Sequence, residues 1–212
     1  MKAFDRKKHW EHIYETKGPE EVSWFQAKPK ISLDLIKELD LPETAQIIDV
    51  GGGDSLLVDH LLEIGYRDIS VLDISEMAIH KTEKRLGHRA GLVKWIVNDV
   101  IQLNTSDKYD LWHDRATFHF FTQEDEIKKY IEIAYKSLKD NGVLILGTFS
   151  DQGPKKCSGI DIHQYSEKQM TDLLENYFKK IKCFRVDHPT PKGEIQDFLF
   201  CVFRKIPQKK ID

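Results

Sequence analysis

From residue 46 onward, short runs of β-branched and other apolar residues alternate with longer segments in which apolar residues recur every three or four positions. The short runs predict strands, and the longer segments predict amphipathic helices. Strands that alternate with helices are typical of a parallel sheet with helices on both faces, so the pattern predicts an α/β fold. The five predicted strands are Gln46–Val50, Ile69–Asp73, Val93–Val97, Tyr109–His113 and Val143–Phe149.

The alternation stops in the last quarter of the sequence. A predicted helix from about Ser166 to Phe178 is followed by two strand-like runs, Ile181–Asp187 and Ile195–Arg204, with no helix between them. Consecutive strands joined by a turn rich in proline and glycine pair as an antiparallel hairpin. We therefore expect the sheet to end in a hairpin.

The first 45 residues have a different pattern, in which helical segments around Lys7–Thr16 and Ile31–Leu39 flank the aromatic pair Trp24-Phe25. No shift in composition marks a separate folding unit. We expect residues 1–45 to form a helical lid or cap, residues 46–206 the main domain, and residues 207–212 a disordered tail.

Composition and charge narrow the function classes. The 212 residues include 32 Lys and Arg against 35 Asp and Glu, a net charge of -3, so no overall positive field favours nucleic acid or an anionic membrane as a partner. No apolar run approaches the ~18 residues of a membrane span. Three cysteines without a C-x-x-C pair predict neither a disulfide framework nor a four-cysteine metal site, and we expect a reducing compartment, the cytoplasm.

A glycine-rich turn follows the first predicted strand. Gly51 and Gly53 lie where a strand leads into a helix, and there a ligand can approach the backbone closely. The dinucleotide fingerprint requires a third glycine three residues after Gly53, where this chain has Leu56. The turn therefore favours a small ligand other than a pyrophosphate.

Two carboxylates end the next two strands. Asp73 lies 20 residues after Gly53, where a carboxylate can accept hydrogen bonds from both ribose hydroxyls of NAD or of adenosylmethionine. Asp99 ends the third strand, within reach of an adenine amino group. Because the carboxyl ends of parallel strands meet at one edge of a sheet, these positions predict a nucleoside site.

These motifs resemble those of class I S-adenosylmethionine-dependent methyltransferases. The resemblance runs through Ile48-Asp49-Val50-Gly51-Gly52-Gly53, Asp73, Asn98-Asp99 and Tyr109-Asp110-Leu111, and covers about residues 45–204. The segments His9-Trp10-Glu11, Leu111–Phe120 and Cys157–Gly159 are similar to a branch of small bacterial methyltransferases, and the N-terminal part is loosely similar to some protein-lysine methyltransferases. The family often has glycine where this chain has Ser55, and we expect the loop to close with serine.

The resemblance implies a Rossmann-like sheet of seven strands in the order 3-2-1-4-5-7-6, with the last strand antiparallel. It implies an enzyme that transfers a methyl group from S-adenosyl-L-methionine and releases S-adenosyl-L-homocysteine. It places Asp49, Gly51 and Gly53 at the amino-acid end of the cofactor, Asp73 and Ile74 at the ribose and adenine, and Asp99 and Val100 at the adenine edge. Trp10 and Tyr14 are further candidates for contact with the cofactor, through its sulfonium.

Polar residues after the fourth strand are candidates for work on the methyl acceptor. The resemblance implies that His113 and Asp114 face the methyl group, and together with His119 they are candidate bases for an acceptor that must lose a proton. A thiolate acceptor needs no base. Pairing of Asp114 with Arg115 to order the loop is the structural alternative.

The acceptor itself is open. We expect a small molecule, bound by a monomer or homodimer without a metal ion. A protein-lysine methyltransferase and a non-catalytic adenosylmethionine-binding regulator are the alternatives, and within enzymes a nicotinamide oxidoreductase and an aminopropyltransferase are rivals on similar folds.

Overall fold

The structure is a computed structural model that describes residues 4–207. Apart from Pro207, the predicted tail at 207–212 lies outside the described residues, as do residues 1–3. Residues 4–207 form six α-helices: α1 (Arg6–Thr16), α2 (Lys30–Glu38), α3 (Leu57–Glu63), α4 (Glu76–Leu86), α5 (Glu124–Ser137) and α6 (Glu167–Leu174). The strands are β1 (Gln46–Val50), β2 (Asp68–Asp73), β3 (Val93–Val97), β4 (Tyr109–Arg115), β5 (Leu138–Phe149), β6 (Lys156–Cys157), β7 (Ile160–Asp161), β8 (Phe178–Pro189) and β9 (Ile195–Lys205).

Seven of the strands form one sheet, in the order β3-β2-β1-β4-β5-β9-β8. β1 to β5 are parallel where they pair, and β9 is antiparallel to both of its neighbours. Counted within this sheet, the order is 3-2-1-4-5-7-6 with the seventh strand antiparallel. The predicted fold class and strand order are confirmed.

Apolar side chains cover both faces of the sheet. Along β1, Ile47 and Ile48 are both fully buried but belong to different apolar clusters, because successive side chains of a strand point to opposite faces. Leu33 and Leu61 place α2 and α3 in the cluster of Ile47. The other face packs against α5 and α6. Burial on both faces explains why the central strands are nearly continuous apolar runs.

Several boundaries differ from the predicted ones. β5 begins at Leu138 rather than Val143, and its first residues form an irregularity at which the register with β4 shifts. α6 ends at Leu174 rather than near Phe178, because Phe178 already pairs with Lys205 in the sheet. The short hairpin of β6 and β7 was not predicted.

The expectation of no disulfide was wrong. Cys183 and Cys201 form a disulfide, and they are direct neighbours across the β8–β9 register. Cys157 is free and buried. An odd number of cysteines says nothing about such a pair, since it is the register of a long hairpin that brings the two positions together.

The N-terminal residues contribute to both the core and the surface. Leu33, Leu35 and Ile36 of α2 pack in the main apolar cluster, whereas α1 lies across α4. A lid that ends at residue 45 therefore stays a prediction, and the structure gives a covering role to α1 in particular. None of the helices within residues 4–207 is long and apolar enough to span a lipid bilayer.

Candidate functional site

A cavity lies at the carboxyl ends of β1, β2, β3 and β4, under α1. Each of the four strands delivers a predicted or neighbouring residue to its wall: Gly51, Asp73, Asp99 and Arg115. The crossover helices leave this edge of the sheet uncovered, as expected for an open parallel sheet. The cavity therefore lies where the sequence predicts a nucleoside site.

The glycine turn is shaped by close contacts. Gly51 and Gly53 have φ angles of +66° and +46°, a region that side chains with a Cβ rarely adopt. A Cβ on Gly51 would lie 1.7 Å from Thr117 Oγ1, and one on Gly53 would lie 2.5 Å from Tyr14 Oη. Ser55 N donates to Gly52 O at 2.8 Å, so the loop closes with serine as predicted.

Asp73 is a buried carboxylate with few donors. Asp73 is only 4% exposed, and its Oδ1 accepts a hydrogen bond from Ser75 N at 2.8 Å. Burial raises the pKa of Asp73 to about 7, and the charge of Asp54 adds to this effect. A carboxylate in such a place gains from further hydrogen-bond donors, such as two vicinal hydroxyl groups.

Asp99 lies at the same end of the cavity. Its Oδ1 accepts from Ile101 N at 3.2 Å, and its Oδ2 lies 3.7 Å from Arg6 Nη1. Ile74 and Val100 line the wall between the two carboxylates. The predicted nucleoside residues are thus brought together.

Arg6 was not predicted. Its guanidinium pairs with Glu126 and lies 4.9 Å from the centre of the Phe121 ring, so it fixes the start of α1 above the end of the cavity at Asp99. Nothing in the local sequence indicates these partners, which lie more than a hundred residues away.

Aromatic rings form the other end of the cavity. The centre of the Trp10 ring is 5.0 Å from that of Phe120 and 5.7 Å from that of Trp24. Tyr14 is buried beside them, and burial raises the pKa of its hydroxyl, with Asp73 and Asp54 adding to the effect. Trp10 and Tyr14 line the cavity; their contact with a cofactor stays a prediction.

The C-terminal hairpin supports this aromatic wall. His188, at the end of β8, donates from Nε2 to Ser23 O at 2.7 Å and accepts at Nδ1 from Gln26 Nε2 at 3.2 Å. These two bonds hold the segment that carries Trp24. Neither partner of His188 is suggested by the sequence around it.

His113 does not line this cavity, contrary to prediction. Its Nδ1 lies 2.7 Å from Asp49 Oδ1 and its Nε2 lies 2.8 Å from Ser32 Oγ. Both ring nitrogens therefore have partners, and the ring is 2% exposed. His113 borders a narrower pocket next to the glycine turn, together with Asp49, where it orients that carboxylate. The structure thus places His113 between Asp49 and Ser32, and its role as a base stays a prediction.

Asp114 also departs from its predicted role. Its Oδ1 accepts from the backbone N–H groups of Thr117 and Phe118, and its Oδ2 accepts from the Tyr130 hydroxyl. It is fully buried, and burial raises its pKa to about 6. Alternation along β4 turns it to the face opposite to His113 and Arg115. Asp114 orders the loop after β4, but not by pairing with Arg115.

His119 is the third of these residues. It is fully buried between Phe120 and Phe149, and its Nδ1 accepts from Phe149 N at 3.3 Å. Burial lowers its pKa to about 3, so the ring is neutral at physiological pH. Its side chain does not line the cavity, and its role as a base stays a prediction.

Arg115 and Cys157 line the aromatic end instead. The Arg115 guanidinium donates from Nη2 to Trp24 O at 2.7 Å. Burial lowers the pKa of Arg115 to about 10, which leaves it charged at neutral pH. Burial raises the pKa of Cys157 to about 11, so that thiol is neutral.

These features fit an adenosyl sulfonium compound. One end of the cavity offers two carboxylates to a nucleoside, the narrower pocket offers Asp49 to an ammonium group, and the glycine turn leaves room for backbone approach. Aromatic rings form the other end of the cavity, where a cationic sulfur is favoured. The fold and site define a Rossmann-like α/β protein with a nucleoside-binding cavity.

Residues 48–144 match the protein family described as "Methyltransferase domain". This part of the chain is similar to that domain, and the resemblance to class I S-adenosylmethionine-dependent methyltransferases is confirmed. S-adenosylmethionine is the cofactor of that family.

Relatives by sequence include two kinds of methyltransferase. The eEF1A lysine and N-terminal methyltransferase of Mus musculus is 27% identical over 128 residues, which are 59% of this chain and 18% of that protein. A malonyl-[acyl-carrier protein] O-methyltransferase of Calditerrivibrio nitroreducens is 27% identical over 88 residues, which are 40% of this chain and 35% of that protein. The chain thus spans only a minor part of each of these two relatives.

Solved structures share the fold over most of the chain. The 1,6-didemethyltoxoflavin-N1-methyltransferase of Burkholderia thailandensis, with its substrate and S-adenosylhomocysteine bound, has a TM-score of 0.70 and 22% identity, covering 84% of this chain and 78% of that one. The N-methyltransferase NodS of Bradyrhizobium japonicum, with S-adenosylhomocysteine, has a TM-score of 0.71 and 15% identity, covering 96% and 100%. At these identities the likeness is one of fold.

Proposed function

We propose that the protein transfers a methyl group from S-adenosylmethionine to a small-molecule acceptor. The observation that carries this proposal is the single cavity that joins a nucleoside end, at Asp73 and Asp99, to an aromatic end, at Trp10, Trp24 and Phe120. A cofactor bound at the first end has its reactive group near the second.

Each part of the cofactor has residues that suit it. Asp73 and Asp99 accept hydrogen bonds from the ribose and the adenine, and Asp49, oriented by His113, accepts from the amino group. Ile74 and Val100 pack against the base, and Gly51 and Gly53 allow close approach of the backbone. When bound, S-adenosylmethionine supplies an electrophilic methyl group on a cationic sulfur.

The protein's own residues align the acceptor with the methyl group and exclude water from the site. Methyl transfer needs an in-line arrangement of nucleophile and methyl group with water excluded. Trp10, Trp24 and Phe120 pack edge to face around the aromatic end, which keeps bulk water away from it. His113, Asp114 and His119 have their hydrogen-bonding atoms engaged or buried elsewhere, so they do not serve the acceptor as bases.

A small molecule suits this enclosure. Trp10 of α1 and Phe120 of the loop after β4 are in contact beside the aromatic end, which favours a small acceptor over a side chain of a folded protein. The neighbour with bound 1,6-didemethyltoxoflavin is an N1-methyltransferase of that small molecule, which supports the same class of acceptor here. The mouse relative supports the alternative, a protein lysine or N-terminus.

Titration calorimetry tests the cofactor. Protein freed of bound nucleosides is titrated with S-adenosylmethionine, S-adenosylhomocysteine, decarboxylated S-adenosylmethionine and NADH. Binding of the first two at micromolar concentration, with weaker binding of the others, supports the proposal. Tighter binding of the decarboxylated compound indicates an aminopropyltransferase, and binding of NADH alone indicates an oxidoreductase.

Transfer of a tritiated methyl group tests the acceptor. Label recovered in low-molecular-weight products of a metabolite extract supports a small molecule, whereas label in a protein band supports the alternative. Cofactor binding without label in either fraction favours a non-catalytic regulator.

The cytoplasmic location and the assembly as a monomer or homodimer stay predictions. The Cys183–Cys201 pair offers a test of location, since disulfides are rare in the cytosol. Alkylation of the protein in intact cells, followed by mass spectrometry, shows free thiols if the prediction holds. Light scattering after gel filtration gives the assembly state.

A further inference from the structure

Arg115 is the charged group of the aromatic end. It lines this end together with the rings of Trp10, Trp24 and Phe120 and the neutral thiol of Cys157, and it also borders the narrower pocket of Asp49. The other arginine of the cavity wall, Arg6, is at the opposite end and is paired with Glu126. A positive charge thus stands where the acceptor is expected.

The guanidinium has more donors than partners. An arginine carries five N–H donors, and within residues 4–207 the one side-chain hydrogen bond of Arg115 goes to Trp24 O. In that same range it forms no ion pair with a carboxylate. Asp49, whose charge acts on Arg115, gives its Oδ1 to His113 instead. A buried charge that is not directly paired with a carboxylate is costly, and a bound anion offsets that cost.

The chemistry of the wall leads to the same conclusion. A lysine ammonium would be repelled by Arg115 and would need a base, but the candidate bases His113, Asp114 and His119 lie away from the cavity. Tyr14 and Cys157 are held neutral by burial and are poor bases. An acceptor that arrives already deprotonated needs none of them.

We propose that Arg115 binds an anionic acceptor, a small flat molecule whose accepting atom is a thiolate, phenolate or carboxylate. This inference rests on the proposed function. The acceptor's lone pair forms the bond to the methyl carbon while the electron pair of the broken carbon–sulfur bond stays on sulfur, so an anion and a cation give two neutral products. Because the acceptor is already deprotonated, no residue of the protein has to act as a base.

The direct test uses 4-nitrophenol, whose anion absorbs visible light, with S-adenosylhomocysteine bound to the protein. Wild-type protein is expected to bind the anion at least about tenfold more tightly than the neutral form, which lowers the pKa of the bound phenol by about 1. Arg115→Gln removes this preference, Arg115→Lys keeps part of it, and the matched control Arg204→Gln, an exposed arginine on β9, behaves as wild type. Nitrobenzene, the neutral analogue, binds all four proteins alike.

A second arm separates the acceptor from the cofactor. Calorimetry compares S-adenosylhomocysteine with 5′-methylthioadenosine, which lacks the amino-acid portion. Arg115→Gln is expected to bind both nucleosides as wild type does. If it loses affinity for S-adenosylhomocysteine alone, Arg115 serves the cofactor's carboxylate and the inference is overturned.

The outcomes also separate the two proposals. Wild-type protein that binds neither nucleoside contradicts the proposed function. Wild-type protein that binds S-adenosylhomocysteine but shows no preference for the nitrophenol anion contradicts the inference alone. Should Arg115→Gln fail to fold by circular dichroism, Arg115→Lys and the pH dependence of phenol binding to wild type decide.

Discussion

Glu11 Oε2 accepts a hydrogen bond from Ser75 Oγ at 2.8 Å and thereby joins α1 to the start of α4, just after Asp73. The same carboxylate accepts from Glu76 N and Met77 N. In return, Lys81 of α4 donates to the carbonyl groups of Tyr14 and Lys17 at the end of α1. Each helix supplies a charge that suits the other's dipole, so α1 is attached to α4 at its middle and at its C-terminal end.

Glu11→Ala should speed the release of S-adenosylhomocysteine. The change removes three hydrogen bonds at a helix N-terminus, which contribute about 1–2 kcal/mol together, so we expect dissociation to be roughly tenfold faster. Stopped-flow tryptophan fluorescence measures it, because Trp10 is on α1. Glu15→Ala, an exposed change on the same helix, is the control. Equal rates for the two variants would show that α1 does not retain the ligand.

The attachment of α1 should also depend on pH. Partial burial raises the pKa of Glu11, but the hydrogen bonds from Ser75, Glu76 and Met77 outweigh this effect and lower the pKa overall. A carboxylate whose pKa is lowered on folding stabilises the folded state at pH values above its pKa in the unfolded state. This stabilisation is lost as the pH falls through its pKa in the folded state. We expect ligand release to accelerate below about pH 4.5 in wild type and to change less in Glu11→Ala.

Asp73→Asn should stabilise the ligand-free protein while weakening cofactor binding. The pKa of Asp73, raised to about 7 by burial, means that the native state holds a proton that the unfolded state has released. Stability is therefore lost as pH rises from about 4 to 7, by roughly 2–4 kcal/mol for a buried group. Urea unfolding from pH 5 to 8 should show a fall in wild type that is smaller in Asp73→Asn.

The same variant should bind S-adenosylhomocysteine about 10- to 100-fold more weakly, because a charge-assisted acceptor is lost. Asp68→Asn, at the exposed start of the same strand, is the matched control for both measurements. Unchanged affinity by calorimetry would rule out a ribose contact at Asp73.

His113→Ala should lower stability and cofactor affinity together. The ring joins Asp49 to Ser32 at 2.7 Å and 2.8 Å, so its removal leaves a buried carboxylate without its partner. We expect a loss of about 2–4 kcal/mol in unfolding free energy. Urea denaturation and calorimetry measure the two effects, with His80→Ala, an exposed residue of α4, for comparison. If turnover falls while stability and cofactor affinity are unchanged, His113 acts on the acceptor and this prediction is wrong.

Reduction of the Cys183–Cys201 disulfide should lower the melting temperature. The bond closes a loop with a sequence separation of 18, for which chain entropy predicts about 3 kcal/mol, or about 6–12 °C in a protein of this size. Thermal unfolding with and without a phosphine reductant measures the shift, and Cys157→Ser should show the same shift as wild type. A Cys183→Ser variant that melts like the oxidised protein would contradict the prediction.

The positions of the cofactor residues follow from the sequence because they depend on local pattern. Gly51, Asp73 and Asp99 each end a strand whose apolar run is visible, and parallel strands bring their carboxyl ends to one edge. The arrangement of the sheet follows from the same alternation and from the terminal hairpin. These inferences need no knowledge of which side chains touch.

The roles of the polar residues after β4 could not be derived in this way. Which of His113, Asp114 and Arg115 faces the cavity depends on a one-residue alternation at the end of the strand. The partners that decide each role are distant in sequence: Ser32 for His113, Tyr130 for Asp114, and Trp24 for Arg115. Residue type and position favoured His113 and Asp114, whose polar side-chain atoms are hydrogen-bonded within the protein. They did not indicate Arg115, most of whose donors have no partner among the described residues.

The place of β9 in the sheet bears on how the protein is made. The strand translated last of the seven is an interior one, paired with β5 on one side and β8 on the other. Until it leaves the ribosome, β5 presents an unpaired apolar edge, a state prone to association with other nascent chains. The segment that carries Trp24 likewise gains its hydrogen bond to His188 only after β8 has been translated. A nascent chain that has not yet reached β9 contains all six described helices but lacks the strand that joins β5 to β8, so the sheet beneath the cavity is completed only after β9 has been translated.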